Sequence, residues 1–372
     1  MSDLTELLKA PGAAVEAQDD FDSINALYLE RGWGDGLPIV PPTAARVAKM
    51  LEYCDRPWSE PVAKVAPRYG EATPLRLAAN AVMAGCRPEY FPLYMLAIEA
   101  MCEEPFNLYG VQATTHLCAP LVIVNGTVGK ALGVNSGHNA FGPGAPANAT
   151  IGRAIRLALL NIGGALPGSG DMSTFGAPSK YSYLVAENED ASPWEPLHVE
   201  RGFPAEATTV TVVGAECPHN VNDHESLTAE GILTTIAGTM ATTGSNDVFY
   251  ASHPVVVMGP EHARTVADGG FSKADAKRFL QERANLPLFR FSKENIERRF
   301  RVTFKDRYAN ATEETAVPAV QRAEDIIIAV IGGVGKHSAY IPTFGATKSV
   351  TRALKRGDGS LAASVEDFRK IT

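Results

Sequence analysis

Apolar residues recur along this chain in two spacings, and the two predict different elements. Ile24, Leu27 and Leu29 in a charged background predict a helix over Phe21–Arg31. Helical patterns return at Pro74–Ala84, Pro88–Glu104, Asn148–Ile162, Ser226–Thr242 and Ser272–Ala284. In the last of these, Asp275 stands three residues after Ser272 as a capping-box partner. Short apolar or β-branched runs predict strands at Leu121–Val124, Tyr181–Val185, Thr208–Val213, Pro254–Met258 and Ile326–Ile331. Continuous runs of this kind suit strands buried on both faces. Alternation of the two patterns predicts an α/β fold, a mixed sheet with flanking helices.

Residues 1–19 read as a mobile leader, and 20–372 as one large catalytic domain. Lobes over 44–165 and 206–372 would be joined by an irregular segment, 166–205. The segment GWGDGLPIVPPT (32–43) holds three Gly and three Pro, which exclude regular structure. It reads as a strap over the surface or over a site. A faint duplication would make the lobes similar, because His116 and His253 each precede an apolar strand closed by Gly126 or Gly259.

The chain has 372 residues and a formal charge of −8. This acidity argues against nucleic-acid binding. No apolar run reaches the ~20 residues of a membrane span. The N-terminus does not read as a secretory signal. Five cysteines, odd in number and without CxxC, suit a reduced cytoplasmic chain. A homo-oligomer is expected.

Polar loops after the apolar runs supply the candidate chemistry. NSGHNAFGPG (135–144) lies just ahead of the predicted helix at Asn148. Asn135, Ser136, His138, Asn139, Asn148 and Arg153 would hold a small polar or anionic substrate beside that helix N-terminus. His116 and His198 are further candidate contacts. Cys86 sits between a helix end at Gly85 and a start at Pro88, next to Arg87, where a thiolate would be stabilised. It is the candidate nucleophile, with a buried structural cysteine as the alternative. Glu187 directly follows a strand, and His219 lies in a polar loop; both are acid/base candidates. His219, Asp223 and His224 are the alternative metal ligands, although their spacing matches no zinc pattern. No cofactor is predicted, with a divalent metal as the alternative. GGVGKHS (332–338) presents Lys336, His337 and Ser338 to a small ligand on a Gly-rich turn, but it is not GxxxxGK[ST]; one pocket drawing on Asn135–Asn139, Glu187, His219 and His337 is expected. Neither GxGxxG nor GxSxG occurs in a fitting place, so nucleotide and serine-hydrolase readings lack support.

The motifs GWGDGLPIVPPT (32–43), MAGCRPEYFP (83–92), NSGHNAFGPG with NATIGRA (135–154), AENEDASPWEPLHVERGF (186–203) and GGVGKHS with PTFG (332–345) together resemble an uncharacterised bacterial family. That family is associated with small proteins carrying a UGSC or CGSC thiol/selenol motif. The resemblance spans nearly the whole chain and implies thiol or redox chemistry on a small molecule. The chain itself has no CGSC, so a redox dithiol would come from a partner. The expected function is a thiol-dependent lyase or transferase at a C–S or C–N bond. The alternatives are a metal-dependent lyase or hydrolase, and a non-catalytic subunit for a thiol/selenol protein.

Overall fold

The structure is a computed structural model that describes residues 14–369. Most of the expected leader, residues 1–13, lies outside the described residues. The strands are β1 (Ala63–Val65), β2 (Gly70–Ala72), β3 (Ala119–Asn125), β4 (Leu184–Ala186), β5 (Thr209–Ala215), β6 (His219–Asn222), β7 (Val255–Met258), β8 (Asn285–Pro287), β9 (Ala316–Pro318), β10 (Ile327–Val330), β11 (His337–Ile341) and β12 (Val350–Ala353). The α-helices of eight or more residues are α1 (Phe21–Arg31), α2 (Ala44–Leu51), α3 (Pro74–Ala84), α4 (Phe91–Met101), α5 (Pro146–Asn161), α6 (Ala229–Met240), α7 (Pro260–Asp268) and α8 (Lys273–Arg283). The class is α/β, with mixed sheets and helices packed beside them.

Local chemistry explains most element ends. Asp20, Thr43, Thr73 and Thr228 cap α1, α2, α3 and α6 by accepting a first-turn N–H. The capping box at Ser272 and Asp275 opens α8 as its sequence predicts. The expected helix over Pro88–Glu104 forms, opening with a 3₁₀ turn and stopping short of Glu104. A single 3₁₀ turn at Pro88–Tyr90 precedes α4, and Cys102 ends it. The strand expected at Tyr181–Val185 forms only at Leu184–Ala186, because Pro178–Lys180 takes a 3₁₀ turn just before.

The chain divides into two compact units. The first holds the described residues through Glu187, then Pro196–Gly214, then Thr347 onward. The second holds Asn188–Glu195 and Ala215–Ala346. These bounds differ from lobes at 44–165 and 206–372. The cause is pairing: β12, near the C-terminus, joins β5 in the first unit's sheet.

In the first unit the sheet order is β12-β5-β3-β4, with β3 and β4 parallel. All seven residues of β3 and of β5 are buried, as suits inner strands. Helix α4 is buried along its whole length, and α3 packs on α5. In the second unit the order is β10-β7-β11-β6. Strand β7 runs parallel to β10 and antiparallel to β11. Helix α6 packs against α7, α8 and the β6–β11 pair.

The two sheets follow one plan. An inner strand (β3 or β7) pairs in parallel with the next strand of its set (β4 or β10). A third strand (β5 or β11) lies on its other side, and an antiparallel strand (β12 or β6) forms the edge. The edge strands are exchanged along the chain: β6 follows β5 but closes the second sheet, and β12 follows β11 but closes the first. Two glycines mark corresponding close approaches. A Cβ on Gly126 would lie 2.5 Å from the Ala207 carbonyl oxygen, and one on Gly259 2.1 Å from that of His337. Beside them, the Thr208 hydroxyl accepts the Val128 N–H at 3.1 Å, and the Ser338 hydroxyl accepts the Gly259 N–H at 3.2 Å.

Candidate functional site

The sequence candidates in the first unit are held mainly by their own surroundings. The Asn148 amide is buried and staples the 135–140 loop. Its Oδ1 accepts the Asn135 N–H at 2.7 Å, and its Nδ2 donates to the carbonyls of Asn135 (3.0 Å) and Ala140 (3.2 Å). The Asn135 side chain accepts from Gly137 N–H and donates to the His138 carbonyl. Asn139, in the left-handed region at φ 57°, donates to the Pro143 carbonyl. These amides shape the loop. Ser136 is half-buried and His138 exposed on it.

Arg153 is committed to the Gly- and Pro-rich strap. Its guanidinium grips the Asp35 carboxylate at 2.7 and 2.9 Å and also donates to the carbonyls of Leu37 and Pro38. Burial works upward on the Asp35 pKa, but the Arg153 hydrogen bonds and charge outweigh it and hold the carboxyl below its usual range. The strap reading of 32–43 therefore has a physical anchor.

Cys86 stands where the sequence places it, after a left-handed Gly85 (φ 85°) and ahead of Pro88. Its chemistry is the reverse of the expected activation. The residue is half-buried; desolvation pushes the thiol up to about 12, and the Thr150 hydrogen bond and Arg153 charge only partly oppose this. The 3₁₀ turn at Pro88–Tyr90 runs directly into α4, so Cys86 does precede a helix N-terminus as the sequence predicts.

Glu187 is buried at the end of β4. Its Oε2 accepts the Asn125 amide at 2.6 Å and the Leu197 N–H at 2.7 Å, tying β3 to the short helix Leu197–Glu200. His198 is buried on that helix, with Nε2 3.3 Å from the Ala205 carbonyl oxygen. His116 is half-buried, and its backbone N–H donates to the Thr114 hydroxyl.

The second unit brings imidazoles together. In the β6–β11 pair, Asn222 faces His337, Val221 faces Ser338, and His219 faces Tyr340. Cross-strand partners share a face. His337 therefore projects from one face, and His219 from the other. The expected grouping of His219 with His337 does not form. His224, just past β6, takes that place: its Nε2 is 3.2 Å from the His337 Nε2, with the rings nearly perpendicular at 82°. The His337 Nδ1 lies 2.9 Å from the Asn220 Oδ1, an acceptor. His337 thus carries its proton on Nδ1, and its Nε2 presents a lone pair to His224. Both rings are exposed. The Lys336 ammonium donates to the His224 carbonyl at 3.0 Å, placing a positive charge at the same edge.

Behind this edge lies a buried chain that includes Ser338. The Ser338 hydroxyl is 2.8 Å from the His262 Nδ1, and the His262 Nε2 is 2.9 Å from the Asp223 carbonyl oxygen. With Nε2 donating to that carbonyl, Nδ1 accepts from Ser338. The Asp223 carboxylate accepts from Ser226 N–H and the Thr235 hydroxyl. Burial raises its pKa, but these bonds outweigh the effect and hold it low. Asp223 is thus a loop fastener, and the proposed His219, Asp223 and His224 ligand set does not assemble. Among the described residues, no group of three or more His, Cys, Asp or Glu side chains is placed to hold a metal ion.

Sequence reasoning missed Asn220 and His262. Asn220 is visible only once β6 is known to pair with β11, and His262 is a lone histidine on a helix with no marking neighbour. No helix among the described residues is long and apolar enough to cross a membrane. A scan against protein-family models finds no match, and a search of curated proteins finds none either.

Proposed function

We propose that the chain is an enzyme acting on a small polar or anionic molecule, with His224 and His337 as an acid–base pair. The reaction class is cleavage of a carbon–heteroatom bond by elimination. One observation carries this reading: two exposed imidazole nitrogens stand 3.2 Å apart, one of them fixed as a lone pair by Asn220. The His337 Nε2 takes a proton from carbon, and the C–H electrons form the new C=C bond. Protonated His224 gives its proton to the departing nitrogen or sulfur. So close a pair serves two adjacent atoms on one side of the substrate, which makes the elimination syn. Lys336 supplies charge for an anionic substrate group.

The shared sheet plan supports this choice. We infer that the two sheets descend from a duplication with exchanged edge strands. By the glycine contacts, Ala207 occupies the place in the first sheet that His337 occupies in the second. The imidazole is therefore an addition to the common plan. Thiol catalysis has less support, because a thiol pushed up to about 12 holds its proton at neutral pH.

The test is turnover of small carboxylates and amides bearing a β-C–S or β-C–N bond, followed by release of thiol or amine. His224→Asn and His337→Asn should each lower turnover ~10²-fold or more, the usual scale for general acid–base catalysis. Cys86→Ala should retain it. Full activity in both histidine variants, with loss in Cys86→Ala, would restore the thiol mechanism.

A further inference from the structure

We propose that His224 and His337 also form a two-nitrogen site for a borderline divalent cation, Zn²⁺ or Co²⁺, which takes the place of the shared proton. The nitrogens are 3.2 Å apart and the ring centres 4.9 Å apart. An in-line N–H···N bond of that length would set the centres about 5.5 Å apart, each nitrogen being about 1.15 Å from its ring centre. The rings are angled instead. Two imidazoles aimed at one ion through bonds of about 2.0–2.1 Å would place their centres about 5.0 Å apart at this nitrogen separation. The matching N–ion–N angle is about 100°, within reach of a tetrahedral ion.

Asn220 supplies the support such a ligand needs. A metal-bound histidine generally donates its other N–H to an oxygen, which fixes its tautomer. The His337 Nδ1 does so at 2.9 Å to the Asn220 Oδ1. Two protein nitrogens leave the remaining positions to water or to a ligand anion. The Lys336 ammonium lowers affinity for the bare cation but favours an anion at those positions. Asp223, adjacent to His224 in sequence, is spent on Ser226 and Thr235 and supplies no further ligand.

This inference goes beyond the proton-transfer reading, because the ion and the proton compete for the same nitrogens. Titration of the chelator-treated full chain with Co²⁺ at neutral pH tests it. One equivalent should bind, with d–d bands and no thiolate-to-cobalt charge-transfer band. His224→Ala and His337→Ala should each weaken binding at least tenfold, and Asn220→Leu severalfold. Affinity should fall on acidification. Unchanged binding in the His224→Ala, His337→Ala double variant, or a thiolate band, would overturn the site. Turnover by chelator-treated protein reports on the acid–base reading separately, so the two can fail independently.

Discussion

The Arg153 guanidinium holds both oxygens of Asp35, 118 residues away in sequence, at 2.7 and 2.9 Å, and the two side chains are 16% and 3% exposed. A segment that cannot form helix or strand is thereby fixed to α5. Removing one partner leaves the other charge buried, at a cost of about 3 kcal/mol. Arg153→Ala should free the strap, and Arg153→Lys should restore little, since an ammonium cannot reproduce the fork. Protease cleavage within 32–43 is the readout. The Asp35 pKa is depressed in the fold, so its contribution is present above the unfolded value and is lost as pH falls through the folded one.

Asp247 behaves in the opposite sense. It is buried among the hydroxyls of Ser252, Tyr340 and Thr343, and burial lifts its carboxyl to about 6 despite those bonds. A raised folded pKa means that stability is fully present below the unfolded value near 3.8 and is lost as pH rises toward about 6. The two values differ by about 2 units, equivalent to about 3 kcal/mol. Hydrogen exchange across β11, compared between the wild type and Asp247→Asn from pH 4 to 8, should show that difference opening with pH. A gap that stays constant would contradict the assignment.

Asn148 makes a test of the 135–140 loop that is independent of chemistry. Its buried amide satisfies one half-buried N–H and two carbonyls. Asn148→Ala should destabilise the loop by about 2 kcal/mol, the scale for stranded buried polar groups. Asn148→Asp should be no better, because a carboxylate would face two carbonyl oxygens. Amide exchange at Asn135 and Gly137 reports the outcome.

Much of the fold was legible because it rests on local rules. The Ser272–Asp275 box, the Gly85 stop and the buried runs of β3 and β10 are each written within a few residues. The strands β6, β11 and β12 were not legible. HNVN (219–222) is three-quarters polar and becomes a strand only by pairing with β11, more than a hundred residues away. The candidate site was hidden for the same reason. Lys336, His337 and His224 were visible as polar residues, but their meeting depends on that pairing. At Cys86 the local caps are legible, but the desolvation of its thiol depends on residues distant in sequence, Thr150 and Arg153 among its neighbours. The helix Ala44–Leu51 was missed behind Pro41 and Pro42, although Thr43 caps it.

Alkylation of the native protein checks the Cys86 assignment. With its thiol pushed up to about 12, labelling by iodoacetamide should be slow at pH 7–8 and should rise only in strong alkali. Rapid labelling with a midpoint below the reference of about 8.5 would show an activated thiolate instead.

The proton between His224 and His337 is central to the proposed chemistry. Imidazole ¹⁵N NMR of the metal-free protein reads it directly. The predicted result is His337 protonated on Nδ1, with coupling between the two Nε2 atoms across the hydrogen bond that disappears in His224→Asn. A His337 protonated on Nε2 instead, with no coupling to His224, would contradict the pair and the chemistry proposed for it.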